Sequence, residues 1–171
     1  MAPGEKLLEV KGLTKSFNGF SAISDISFSV DANSYVSLLG ASGCGKSVLL
    51  RLVAGLLTPD SGAVCLNGHD VTLQPCNERQ IGFVQQKYAL FPHLNVYDNI
   101  AFGLRHRTVD PITDEAIVKR QVFEIIELVG LKGQEYKMTG QISGGQKQRV
   151  SLSRTLVTKP SICLLDEPLG A

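Results

Sequence analysis

Eight consecutive residues constrain this chain more than any others: Gly40-Ala41-Ser42-Gly43-Cys44-Gly45-Lys46-Ser47. They satisfy the pattern G-x-x-x-x-G-K-[ST] at every fixed position. Gly40, Gly43 and Gly45 carry no Cβ, so the main chain can take positive φ there and approach a ligand closely. Successive backbone N–H groups can then converge on one concavity that suits anionic oxygens. Lys46 adds a flexible point charge that reaches outer phosphates, and the Ser47 hydroxyl is placed to ligate Mg²⁺. A helix beginning here contributes about half a positive charge at its N-terminus. The flanks fit the pattern. Residues 35–39 (Tyr-Val-Ser-Leu-Leu) form a short β-prone run, and Val48, Leu49, Leu50, Leu52, Val53 and Ala54 make the following stretch apolar enough for a buried helix. Strand, glycine loop, helix is the order the pattern requires. The bland alternative is a glycine-rich turn followed by an incidental Lys-Ser.

A length of 171 residues suits one domain, and 43% hydrophobic residues can build a core. No apolar run is long enough to span a membrane. With a net charge of +1 there is no basic field that would call for nucleic acid as a partner. The opening Met1-Ala2-Pro3-Gly4-Glu5-Lys6 has no apolar stretch of the kind a secretory signal needs. Cys44, Cys65, Cys76 and Cys163 show no C-x-x-C spacing, which points to free thiols in a reducing, cytoplasmic setting.

Along the chain, residues 7–13 read as a first strand, and Asn18-Gly19 as a turn. Ile26, Phe28 and Val30 alternate with serines, so 23–30 reads as a half-buried antiparallel strand. Turn residues at 58–62 precede a short strand at 63–66, and Asn67-Gly68 starts another turn. Residues 81–84 are a further strand. From Gln85 to about Thr158 the texture becomes helical, with helices expected at 96–104, 113–129 and 144–157. Gly130 is placed to end the second of these. Ile162-Cys163-Leu164-Leu165 is a continuous apolar run, as a buried parallel strand would be.

Two more constellations carry chemistry. Asp166-Glu167 follows that apolar run, where an acid on the metal side of a phosphate loop belongs. Asp166 is the candidate to hold Mg²⁺ through water, and Glu167 the candidate general base. Ser143 and Gln146 fit the capping box [ST]-x-x-[EQ] at a helix start. The bland reading of Ile142-Ser143-Gly144-Gly145-Gln146 is a well-capped helix. Its two glycines, however, cost about 1 kcal/mol each inside a helix and let backbone N–H groups approach an anion.

Four ordered stretches make the chain resemble the ATP-binding subunits of ABC transporters. Residues 40–47 match the family's Walker A, and 142–150 (Ile-Ser-Gly-Gly-Gln-Lys-Gln-Arg-Val) resemble its signature. Residues 162–167 match Walker B with its following glutamate, and 83–94 resemble the Q-loop region of prokaryotic importers. The resemblance implies an α/β P-loop NTPase: a RecA-like core, an antiparallel β subdomain and an inserted helical subdomain at about 87–158, all within a single domain over 1–171. It implies ATP and Mg²⁺ as ligands, with Gln86 touching the metal and the attacking water, and Phe17 stacking on adenine. A loop or core phenylalanine is the alternative for Phe17. It implies a homodimer or a paired ATPase subunit in which Ser143, Gly144, Gly145 and Gln146 complete the partner's site. Residues 88–94 (Tyr-Ala-Leu-Phe-Pro-His-Leu) are expected either to receive a helix of a transmembrane permease subunit or to be a locally packed turn. A solute-binding protein would act indirectly, no nucleic acid is expected, and the place implied is the inner face of the cell membrane. His93 reads as structural or interfacial, and His69 and His106 as solvated.

The departures are few. Val48 stands where the family usually has Thr, Gln85 where it has an aromatic, and Ile142 where it has Leu. Ala41, Ser42 and Cys44 fill the variable loop positions. After Leu165-Asp166-Glu167-Pro168-Leu169-Gly170-Ala171 the chain ends short of the D-loop aspartate, the switch histidine and the strand before it. The expectation is therefore a domain with its C-terminal strands missing, in which the strand leading to the phosphate loop lacks a neighbour. The function read is ATP binding and hydrolysis driving solute import. A soluble ABC ATPase and a non-hydrolysing nucleotide-binding module are the alternatives.

Overall fold

Alternating apolar and polar side chains build the first sheet. β1 (Lys6–Phe17) and β2 (Phe20–Asp31) pair antiparallel. Asn18 and Gly19 join them at φ 49° and 80°, the left-handed pair that matches strand twist. Leu8 and Val10 face the core, and a register shift after Val10 lets Leu13 rejoin the same face. β3 (Ser61–Leu66) pairs with the other edge of β1, and the two-residue β4 (His69–Asp70) pairs with β3. The order is β2-β1-β3-β4. In this computed structural model the described residues are 6–85, 88–107 and 111–167. They fall into two units, Met1–Arg79 and Gln80–Ala171.

The first unit also holds α1 (Lys46–Val53), which buries Leu49, Leu52 and Val53. Of its last carbonyls, Leu52 O accepts from Gly55 N at 3.1 Å, and Arg79 adds side-chain donors. The guanidinium, only 5% exposed, donates from Nη1 to the Leu52 and Val53 oxygens at 2.9 Å each. Nε donates to Gln74 O (2.9 Å) and Nη2 to Thr72 O (2.8 Å). Burial pulls its pKa down from the usual arginine range, yet the four carbonyls replace the water it has lost.

The strand expected at 35–39 is not formed; the segment has no regular secondary structure. Tyr35 and Leu39 are 86% and 92% exposed. A strand is made by its ladder, and no backbone hydrogen bond of this segment to another described residue is present. Local β-propensity does not substitute for a partner.

In the second unit β5 (Ile81–Val84) and β6 (Ile162–Leu165) pair in parallel. The parallel direction agrees with the sequence, but the burial does not: Leu164 is buried while Cys163 and Leu165 are exposed. Helices α2 (Val96–Arg105), α3 (Glu115–Leu128) and α4 (Gly144–Leu156) enclose a core of Val96, Ile100, Leu104, Val122, Ile126 and Val150. Gly130, at φ 66°, ends the α3 segment. Asn95 and Asp114 cap α2 and α3 by accepting from the Asp98 and Ala116 N–H groups.

One buried amide fastens residues 91–95 to α2. Asn99 Oδ1 accepts from Phe91 N (2.9 Å), and Nδ2 donates to the oxygens of Phe91, Leu94 and Asn95 at 3.1, 3.0 and 2.9 Å. Arg154 of α4 donates to Ala89 O (2.8 Å) and lies 5.2 Å from the centre of the Phe91 ring. His106 is exposed, but its ring stacks on Phe102 at 4.1 Å instead of standing free in solvent. Among the described residues no helix is long and apolar enough to cross a membrane, and the four cysteines are free.

Replacing Arg79 by Met strands the buried Val53 carbonyl, worth about 1–3 kcal/mol when unsatisfied, and removes charged hydrogen bonds to the Leu52, Thr72 and Gln74 oxygens. Urea unfolding is expected to show a loss of at least about 3 kcal/mol, and Arg79→Lys a smaller one; wild-type stability in the Met variant would refute the role. Asn99→Asp keeps the shape but removes the donor and buries a charge. It is expected to cost about 2–4 kcal/mol at neutral pH and less in acid, where the carboxyl regains a proton; urea melts at the two pH values check this.

Candidate functional site

The glycine loop ends on Gly45, the N-cap of α1, at φ 95°. No side chain caps this helix start and no acidic residue lies in its first turn, so its positive dipole end suits an anion. Gly43 also has positive φ, 81°, with no neighbour near its missing Cβ; there the backbone angle alone demands glycine. Gly40 differs from the sequence expectation. Its φ is not positive, and its role is space: a Cβ would stand 2.7 Å from Cys44 Sγ. A Cβ on Gly45 would meet Ala22 O at 2.6 Å and Ile23 Cγ2 at 2.7 Å.

Lys46 curls over this loop. Its Nζ donates to Gly40 O and Ala41 O at 2.8 Å each, which holds the positive charge at the loop's centre. Ala41, Ser42, Gly43 and Cys44 are exposed, while Ser47 and Val48 are half-buried. Phe17, at the end of β1, is 43% exposed and is therefore no core residue; Lys15 Nζ lies 5.6 Å from its ring centre.

In the second unit the capping box is present as read. Ser143 Oγ accepts from Gln146 N (3.3 Å), and Gln146 Oε1 accepts from Ser143 N (2.8 Å). Gly144 and Gly145 are exposed and neither has positive φ. A Cβ on Gly144 would meet only the Tyr88 hydroxyl, at 4.0 Å, and one on Gly145 nothing within 4 Å. Packing inside this unit therefore does not require either glycine. Gly82 is the contrast, since its Cβ would meet Thr155 Cγ2 at 2.5 Å.

Asp166 and Glu167 follow β6. Asp166 N donates to Val84 O at 2.9 Å, extending the ladder by one residue, and the side chain is buried. Glu167 is exposed and takes φ 48°, a left-handed conformation that is strained for a residue with a Cβ. The turn sends the two neighbouring carboxylates into different surroundings. Gln86 lies outside the described residues. Among those described, no cluster of three or more His, Cys, Asp or Glu forms a ready metal cage. Hydroxyl and carboxylate oxygens are donors that Mg²⁺ commonly uses; Ser47 in the first unit offers the one kind and Asp166 in the second the other.

Sequence reasoning did not single out Arg79, Asn99 or Arg154. A lone cation before a strand, an asparagine inside an apolar helix and an arginine late in a helix carry little signal without their acceptors in view.

A family model described as ABC transporter matches residues 23–170. The sulfate/thiosulfate import ATP-binding protein CysA of Methylococcus capsulatus is 48% identical over 164 residues, which cover 96% of this chain and 47% of that protein. The protein of the same name from Gloeobacter violaceus is 51% identical over 162 residues, 95% and 46% of the two chains. The spermidine/putrescine import ATP-binding protein PotA of Mesoplasma florum is 46% identical over 165 residues, 96% and 46%. The chain thus spans about half the length of the curated relatives it matches. Among solved structures, a dimeric ATP-binding cassette in a post-hydrolysis state with ADP and phosphate superposes with a TM-score of 0.85 at 27% identity, covering 96% of this chain and 75% of that one. Glycine loop, capped glycine pair and strand-end acids all lie within or around the matched span, and the chain belongs to the ABC transporter family, with the RecA-like α/β fold of its ATP-binding cassettes.

Proposed function

We propose that this chain is the ATP-binding subunit of an ABC importer, binding and hydrolysing ATP to drive a solute across the cytoplasmic membrane. The observation that carries the reading is the pair of glycine-marked helix starts. One, at α1, is left uncapped behind Lys46; the other, at α4, has two exposed glycines that its own unit does not need. In this reading the backbone of 40–48 and Lys46 hold the phosphates, and Phe17 stacks on the base. Ser47, Gln86 and Asp166, the last through water, hold Mg²⁺, which supplies neutralisation of phosphate charge. Glu167 takes a proton from water as the water oxygen bonds to the γ-phosphorus and the bond to the bridging oxygen breaks. Lys46 stabilises the charge left on the β-phosphate. Ser143, Gly144, Gly145 and Gln146 approach the γ-phosphate held by a second, paired subunit.

The domain proposed is a single nucleotide-binding domain over 1–171 with its helical part at about 87–158. The partners are transmembrane permease subunits, with residues 88–94 as the docking segment, and the place is the inner membrane face. The fastening of 88–94 by Asn99 and Arg154 supports a preformed surface and also serves a packed turn. Relatives named for sulfate and for spermidine import are similarly close, although those solutes have opposite charges. Solute choice therefore belongs to the permease and solute-binding partners. A nucleotide-binding role without hydrolysis is the second reading, favoured by the unpaired 35–39 segment.

ATP with Mg²⁺ is expected to stabilise the chain by about 2.7 kcal/mol at a hundredfold excess over Kd, and Lys46→Ala to abolish most of that shift. A melting curve indifferent to nucleotide would defeat the proposal. Glu167→Gln is expected to slow phosphate release by roughly 10²–10⁴-fold, about 3–5 kcal/mol of barrier, while ATP binding persists. Equal turnover in that variant would exclude Glu167 as base, and ATP binding without wild-type turnover would favour the second reading.

A further inference from the structure

The tip of the first hairpin carries an aromatic side chain that the site as described does not use. Phe20 opens β2 and is 80% exposed, so burial in the core is not its role. It is the register partner of Phe17 across the Asn18-Gly19 turn. Residues directly opposite in an antiparallel pair share a face of the sheet, so both rings leave the hairpin on the same side. Lys15, held at 2.7 Å by Asp60, keeps its ammonium 5.6 Å from the centre of the Phe17 ring. A flat ligand on Phe17 is thereby confined to the remaining ring surface.

The same strand runs against the phosphate loop. The missing Cβ of Gly45 would stand 2.6 Å from Ala22 O and 2.7 Å from Ile23 Cγ2. Ala22 lies two residues beyond Phe20, at the register shift between the Ser16–Ser21 and Lys15–Ile23 pairs, and two residues of strand span at most about 7 Å. The aromatic pair is therefore within one nucleotide's length of the loop's last glycine and the start of α1.

We propose that Phe20 is a second base-contacting residue, so that the hairpin tip grips the purine of the bound nucleotide with two aromatic side chains and not with Phe17 alone. The inference rests on the reading of 40–47 as a nucleotide site. Aromatic faces stack on any base, so this contact strengthens binding without choosing between adenine and guanine.

The test measures Mg²⁺-dependent binding of ATP, GTP and inorganic tripolyphosphate to the 171-residue chain by calorimetry. Phe20→Ala is expected to weaken ATP and GTP by about five- to tenfold and to leave tripolyphosphate and the melting temperature unchanged. Phe20→Trp is expected to restore or exceed wild-type affinity for both nucleotides. Unaltered ATP affinity in Phe20→Ala overturns the proposal and leaves the loop reading intact. An equal loss for ATP and tripolyphosphate overturns it too, because the damage then lies in the hairpin. If the wild-type chain binds neither ATP nor tripolyphosphate, the loop reading fails and the inference fails with it.

Discussion

A helix begins with N–H groups that its own carbonyls cannot satisfy and ends with carbonyls in the mirror predicament. How this chain treats those groups decides where an anion can sit. α1 has eight residues, too few to persist alone in water. Arg79 secures its C-terminal oxygens from inside the first unit, while left-handed Gly45 leads into its N-terminus without a side-chain cap. One end is fixed by a side chain and the other carries no side-chain cap. α4 meets the same constraint differently. Its capping box occupies the Ser143 and Gln146 amides, leaving the amides of the two exposed glycines at the surface. The box returns about 1 kcal/mol, which offsets roughly half of what two helical glycines cost.

Order in the second unit spreads from polar groups buried among apolar ones. Asn99 lies in the core-facing row of α2 between Val96 and Leu104, and each hydrogen bond it makes falls on residues 91–95. Arg154 reaches from α4 to Ala89, which takes φ 46°, a conformation that survives only under external hold. Residues 89–95 are thus held by two helices. One of them, α4, begins with Gly144 and Gly145 after Ser143.

Much of the fold was legible because short-range chemistry and long-range pairing agree. Asn18-Gly19 and Asn67-Gly68 are turns that any partner strand must accept, and the α2 and α4 periods coincide with caps at Asn95 and Ser143. Reading failed where a neighbour decides. Residues 35–39 have strand-like side chains and no ladder. Cys163 and Leu165 are apolar and yet uncovered. At Gly40 the missing Cβ makes room for a sulfur atom, which no pattern of glycines discloses. Among the candidate site residues, the loop, the capping box and the strand-end acids were visible as spacing. The role of Phe20 was not visible, because the hairpin register makes it a neighbour of Phe17 and a letter in a string does not.

Gly55, just beyond α1, stands at φ 77°, and a Cβ there would come within 2.5 Å of Arg79 Nε. The two positions are far apart in sequence and share one volume. A mutation at either changes what is tolerated at the other, so neither can drift independently even though neither touches a ligand. Libraries that randomise the phosphate loop while letting Gly55 vary would report lost binding that originates in a displaced guanidinium at the opposite end of the helix.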